Sequence, residues 1–262
     1  MNDDTCYRCG GNVSVVVQRI DKDVSIVKCR SCGLARTYPY PKFDYDSQEK
    51  YSDFYIENEA LFRSFARSML GVIMEHKASG AFLDIGCAVG YLLDEAKAAG
   101  FQETAGIELN KGAAEVAGKK GHVVRPEPLE ASGFGPEKFD VISFNHVLEH
   151  ILEFKPFLAK VKDLLTPDGI VYCGAPDYDS FMRRLLGKSW YGWGMPDHVW
   201  HFDLKTFASV MQDGGFAPKK LVRNALYYPY SKSLRKNTRA TLARTAAALG
   251  MGDQVYGVFV KA

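Results

Sequence analysis

Two Cys-x-x-Cys pairs, Cys6/Cys9 and Cys29/Cys32, constrain the start of this chain more than any other feature. Two thiolates three residues apart face one ion from a tight knuckle, and Gly10 and Gly33, which follow the pairs, relieve crowding where the chain turns back. Between the pairs, Val13 to Arg19 and Val24 to Lys28 read as short strands joined by a turn at Asp21-Lys22-Asp23. Two knuckles on a small antiparallel sheet predict a zinc ribbon over residues 1–40, with Cys6, Cys9, Cys29 and Cys32 as ligands. A module of about 40 residues buries too little apolar surface to fold unaided, so the metal supplies the folding energy. Four thiolates leave no open position for water or substrate, which makes the ion structural. A redox pair would stand alone, and disulfides are disfavoured in a reducing compartment. Cys87 and Cys173 lie in apolar strand-to-loop segments and read as small core residues.

Tyr38-Pro39-Tyr40-Pro41 ends the module, and residues 41–79 form a linker and an N-terminal helix. Leu61, Phe62, Phe65, Met69, Val72 and Ile73 recur at helical spacing, predicting an amphipathic helix from Ile56 to Lys77 with its stripe in the core. From residue 80 onward short apolar runs alternate with helical patterns. The strand candidates are Ala81–Ile85, Glu103–Glu108, His122–Val124, Phe139–Asn145, Gly169–Ala175, Ala217–Asn224 and Val255–Val260. Helices are expected over Tyr91–Ala99, Lys111–Lys119, Lys155–Leu165 and Leu204–Asp213. This alternation predicts an α/β domain over 80–262: a Rossmann-like, mainly parallel seven-stranded sheet with helices on both faces.

With 47% hydrophobic and 24% charged residues in 262, the chain is neither disordered nor a coiled-coil rod. Its apolar runs are too short for a membrane span, and the acidic start Met1-Asn2-Asp3-Asp4 carries no readable targeting signal, so a cytoplasmic location is expected. The net charge of +2 is uneven, with nine Lys or Arg against the single Asp253 from Lys219 onward. Lys232, Arg235, Lys236 and Arg239 share one helix face, either a solvated face or a site for a phosphate-bearing ligand, RNA or lipid. The overall charge is too balanced for strong nonspecific nucleic-acid binding, and oligomeric state is not readable.

The chemistry centres on Phe82-Leu83-Asp84-Ile85-Gly86-Cys87-Ala88-Val89-Gly90-Tyr91, a strand running through a glycine-bearing turn into a helix. Such glycines let a ligand approach the backbone at the carboxyl edge of a sheet. Asp84 suits a cationic or hydroxyl-rich ligand better than a diphosphate. Glu108 ends the next strand 24 residues later, where a carboxylate accepts hydrogen bonds from both ribose hydroxyls.

These residues, with Phe139-Asp140-Val141-Ile142, Asn145-His146-Val147-Leu148-Glu149-His150, Leu164-Leu165-Thr166-Pro167-Asp168-Gly169 and Gly214-Gly215-Phe216, resemble the class I S-adenosylmethionine-dependent methyltransferases. The resemblance runs from about Tyr51 to the C-terminus. It implies that Asp84, Gly86, Cys87 and Gly90 shape the cofactor loop and that Glu108, with Leu109 beside it, holds the ribose. It places Glu127 and Leu129 by the adenine, and Asn145 and His146 along the methionine part. Ala88 stands where the family more often has glycine.

Groups acting on an acceptor belong after the fourth and fifth strands. Two clusters qualify: His146/Glu149/His150, and an insertion at about 178–202 that holds all three tryptophans. Within it His198 or His201 can serve as a base near neutrality, with Asp197 assisting His198 and His150 as the alternative base. Its aromatics and glycines are expected to wall the acceptor site, although for each tryptophan simple packing is the plainer reading. Zinc-ribbon methyltransferases that act on nucleotide-linked deoxysugars look similar in having a four-cysteine module and an acid-His pair after the fifth strand. The resulting expectation is methyl transfer from S-adenosylmethionine to a small molecule: a nucleotide-linked sugar, or another secondary or cell-envelope metabolite. An RNA methyltransferase whose ribbon grips its substrate and a non-catalytic interaction module are the alternatives.

Overall fold

In a computed structural model of the chain, residues 5–11, 14–41, 51–225 and 234–262 are described. Of the basic helix face, Lys232 and the side chains of Arg235 and Lys236 lie outside them, as does Val13.

The ribbon carries β1 (Ser14–Arg19), β2 (Ser25–Cys29) and β3 (Ala35–Tyr38), all antiparallel. Asp21 makes the β1–β2 turn by accepting hydrogen bonds from the Asp23 and Val24 amides, both at 2.8 Å. The expected single helix over Ile56–Lys77 is instead two, α1 (Tyr51–Glu57) and α2 (Glu59–Met74), broken at Asn58. Asn58 turns its side-chain amide back to the Phe54 carbonyl at 2.9 Å, a local bond that competes with helix continuation.

Then β4 (Ala81–Ile85), α3 (Tyr91–Ala98), β5 (Glu103–Ile107), α4 (Lys111–Lys119) and β6 (Val123–Arg125) build one half of the main sheet. The chain next crosses to the other side of β4 with β7 (Phe139–Asn145), α5 (Phe154–Leu164) and β8 (Leu165–Pro176). After the insertion, which holds α6 (Phe181–Leu186) and β9 (Trp200–His201), come α7 (Leu204–Asp213), β10 (Phe216–Asn224), α8 (Leu234–Ala248) and β11 (Gln254–Lys261).

The seven strands lie in the order β10-β11-β8-β7-β4-β5-β6, with β11 alone antiparallel to its neighbours. Successive strand residues serve opposite faces, as a pleated strand requires. Leu83, Ile142 and Val171 pack with Phe157 and Val161 of α5 and Phe207 of α7. Phe82, Val141 and Ile170 pack on the other side with Leu70 of α2 and Leu92 and Leu93 of α3. Strand order reverses between β4 and β7, and that switch point opens the crevice at the carboxyl edge where doubly wound sheets bind ligands.

The ribbon does not stand apart. β9 pairs antiparallel with β3, Arg36 opposite Trp200 and Ala35 opposite His201, making a four-stranded sheet β1-β2-β3-β9. A third apolar cluster joins Ile26 and Ala35 of the ribbon to Tyr178, Met182, Trp190 and Trp193 of the insertion.

Candidate functional site

Asp84 sits near the end of β4 opposite Ser143 of β7, which donates its hydroxyl to Asp84 Oδ1 at 2.6 Å. Burial pushes this carboxyl up to about 7 against the Ser143 bond, with Glu108 adding to the rise. A buried carboxylate so short of positive partners suits a cationic ligand. Gly86 follows at φ +76, where a Cβ would lie 2.6 Å from Val147 Cγ2, so no side chain fits between the turn and the β7 loop. Ala88 holds φ 47, a conformation that favours glycine, and its amide donates to Glu108 Oε2 at 2.9 Å. Glu108 Oε1 accepts from the Asn110 amide at 2.8 Å, so the second acid braces the glycine turn from behind. Burial holds its carboxyl above the usual range despite these amides.

One cavity of about 790 Å³ runs past this turn, lined by Asp84, Gly86 and Cys87 on one wall and by Asn145, His146 and His198 on another. Phe62, Phe65 and Met69 of α2 also line it. Of the stripe expected in the core only Ile73 is buried; Leu61, Phe62, Phe65, Met69 and Val72 line the cavity, with Phe62, Met69 and Val72 also packed against the core's edge. Arg63 fastens this helix to α3 through Asp94 at 3.0 Å and Glu95 at 3.3 Å. Arg244 of α8 is the single Lys or Arg on the lining among the described residues.

His146 departs from ordinary backbone, with φ 56. A non-glycine residue there stores strain, a feature that clusters at functional sites. Its Nδ1 donates to Glu149 Oε1 at 3.1 Å, and its Nε2 accepts from Gln254 Nε2 at 3.2 Å, which fixes the tautomer. Gln254 also donates to Asn145 Oδ1 at 3.2 Å. Burial works against the charge on Glu149, but the His146 bond and the nearby His150 and His198 rings outweigh it and hold the carboxyl at about 2.

Asp197 does not assist His198 by contact. Its carboxylate lies 3.4 Å from His150 Nδ1, because neighbouring residues of a turn point their side chains apart. His198 Nδ1 meets the Gly192 carbonyl at 3.1 Å, and burial pushes this histidine down to about 4 although Glu149 pulls the other way. The ring is thus neutral near pH 7, donating from Nδ1 and keeping a lone pair on Nε2. His201 is no cavity residue: it is buried, its Nε2 is 2.9 Å from Thr37 Oγ1 of the ribbon, and burial drives it well below the usual histidine range. The three tryptophans are packing as well, each at most 2% exposed and absent from the cavity lining.

The other sequence candidates stand further off. Gly90 starts α3 at φ +83, Leu109 flanks Glu108, Leu129 packs in the core, and Glu127 is exposed beyond β6. Tyr55, Arg244, Gln254 and Tyr256 line the cavity and carry no motif that would have marked them.

At the ribbon tip, Cys6, Cys9, Cys29 and Cys32 converge, with Sγ–Sγ distances of 3.5 Å for Cys6–Cys32 and 3.7 Å for Cys9–Cys29. Tetrahedral coordination with bonds of about 2.3 Å sets edges of about 3.8 Å, so the four sulfurs are spaced to chelate one metal ion.

The sheet order, the reversed last strand and a glycine turn between two acids define the class I S-adenosylmethionine-dependent methyltransferase fold. The sequence matches the methyltransferase domain family over residues 57–221, and the chain belongs to that family. A methyltransferase from Thermotoga maritima superposes with a TM-score of 0.60 at 20% identity, over 82% of this chain and 100% of that one. One from Archaeoglobus fulgidus gives 0.58 at 18%, over 80% and 99%. Magnesium protoporphyrin IX methyltransferase from Synechocystis gives 0.52 at 14%, over 77% and 83%. These likenesses establish the fold. An uncharacterized protein of Methanocaldococcus jannaschii is 28% identical over 137 residues, covering 52% of this chain and 62% of that relative, less than two thirds of its length. Among the described residues no helix is long and apolar enough to cross a membrane.

Proposed function

We propose that this methyltransferase methylates a small hydroxyl-bearing metabolite, a nucleotide-linked sugar first among them, and that the cluster of His146, Glu149, His150, Asp197 and His198 handles the acceptor proton. One observation carries the reading: the Asp84–Ala88 turn shares one cavity with His146 and His198 of this cluster. S-adenosylmethionine, when bound, supplies a methyl group on a positively charged sulfur. Asp84 faces the cationic end of that molecule, the Gly86 turn lets it lie against the backbone, and Glu108 holds the turn and receives the ribose. Asn145 and His146 border the methionine part. Across the cavity His198 or His150 takes up the proton, and Arg244 attracts an acceptor that carries phosphate.

The α2 aromatics exclude water from this space, and the ribbon, holding zinc on its four cysteines, fixes the loop that bears His198. We assign residues 1–40 to the ribbon, 41–79 to the linker and covering helices, and 80–262 to the catalytic domain. The test is a screen for transfer of labelled methyl from S-adenosylmethionine to nucleotide sugars, other hydroxylated metabolites and RNA. Label in a nucleotide sugar supports the reading, whereas label in RNA alone overturns it.

A further inference from the structure

Glu149, His150 and His198 each offer a donor atom, and all three lie within 4.8 Å of one another. Glu149 is fully buried, and while its Oε1 is occupied by His146, its Oε2 meets no hydrogen-bond partner among the described residues. A buried carboxylate oxygen without a donor is costly, and native structures rarely keep one without a reason. Two imidazoles and one carboxylate are also a donor set that suits a borderline divalent cation.

We infer that Glu149, His150 and His198 form a second metal site, just behind the cavity wall at His198, that takes a divalent transition cation and presents it to paired oxygens of the acceptor. The inference rests on the methyltransferase reading and refines it: with His150 and His198 on a cation, the acceptor proton leaves a metal-bound hydroxyl instead of passing to either ring.

The geometry around the trio is that of a braced site. Glu149 is held from behind by His146, itself tied to Gln254. His198 donates Nδ1–H to Gly192, the kind of outer bond that orients a ligating imidazole through its other nitrogen. Asp197 supports His150 Nδ1 in the same manner. A cation about 2.1 Å from each donor draws the three together by side-chain rotation. Three protein ligands leave positions open, and His198 already lines the cavity, so those positions face the acceptor. An acceptor with a hydroxyl beside a second oxygen, as in a vicinal diol, binds there through both, and the hydroxyl then releases its proton to solvent more readily.

This site differs from the ribbon in its chemistry. Mn2+ takes carboxylate and water oxygens, which a site with open positions offers, and does not displace zinc from four thiolates. The test is therefore an electron-paramagnetic-resonance titration with Mn2+ of protein carrying one zinc per chain, alongside calorimetry with S-adenosylmethionine. We expect one Mn2+ per chain, weakened at least tenfold in His150→Ala and His198→Ala and in Glu149→Gln, with cofactor binding retained as evidence of folding. Should Glu149→Gln fail to fold, the two histidine variants decide. Wild-type protein that binds S-adenosylmethionine but no Mn2+, or variants that bind Mn2+ undiminished, would overturn the metal site while leaving the methyltransferase reading in place. Absence of cofactor binding in the wild type would instead overturn the reading beneath it.

Discussion

Thr37, on the ribbon strand β3, donates its hydroxyl to the backbone carbonyl of His198 at 2.7 Å. The Thr37 amide donates to the neighbouring Val199 carbonyl at 2.9 Å. A residue of the metal-binding module thus holds the backbone of a residue on the cavity wall. Replacing Thr37 by Val keeps the shape and removes the hydroxyl, leaving the His198 carbonyl and His201 without that partner. Such a loss in a buried place costs about 1–3 kcal/mol. We expect a lower melting temperature and slower methyl transfer, with affinity for S-adenosylmethionine unchanged by calorimetry.

Metal removal acts through the same strand. Cys29→Ser takes one of the four converging sulfurs from the ribbon, and we expect the module then to lose the β3 edge on which β9 pairs. Cofactor binding, built on β4 and β5, survives. Transfer to the acceptor falls in parallel with zinc content, measured on the same preparations.

Gly194 stands at φ +50, where an added Cβ would collide with the ring of His198. Gly194→Ala therefore combines backbone strain of about 1–3 kcal/mol with displacement of that ring. The variant is expected to bind cofactor normally and to lose most of its transfer rate.

The Asp84 carboxyl gives a pH signature. Its folded value, about 7, lies above the ordinary 3.8, so between those values the folded protein binds more protons than the unfolded chain. Asp84 then favours folding below pH 4 and ceases to as pH rises through 7. Thermal melts of cofactor-free protein should show this fall, and Asp84→Asn should flatten it. A cationic ligand reverses the preference, so affinity for S-adenosylmethionine rises from pH 5 to pH 8 in the wild type and not in Asp84→Asn.

Much of this was readable from the chain. Paired cysteine spacing and the apolar alternation after residue 80 point to the ribbon and the parallel sheet, since both patterns repeat. The sheet that joins them does not repeat: β9 has two residues, too few for a period, and β3 only four. For the α2 stripe, the residues that pack in a core and those that cover a cavity share one spacing. Phe62 and Phe65 therefore look like core until the cavity is seen beneath them. Adjacent Asp197 and His198 look like a pair in sequence, yet a turn sends them to different partners, His150 and Gly192.

The most direct test of the account is calorimetric titration of zinc-loaded protein with S-adenosylmethionine and S-adenosylhomocysteine, with Glu108→Gln and Glu108→Ala beside the wild type. We expect saturable one-to-one binding of both, weakened more than tenfold in Glu108→Ala and less in Glu108→Gln, which keeps part of the brace on the Ala88 turn. Folded wild-type protein that binds neither compound would contradict the account.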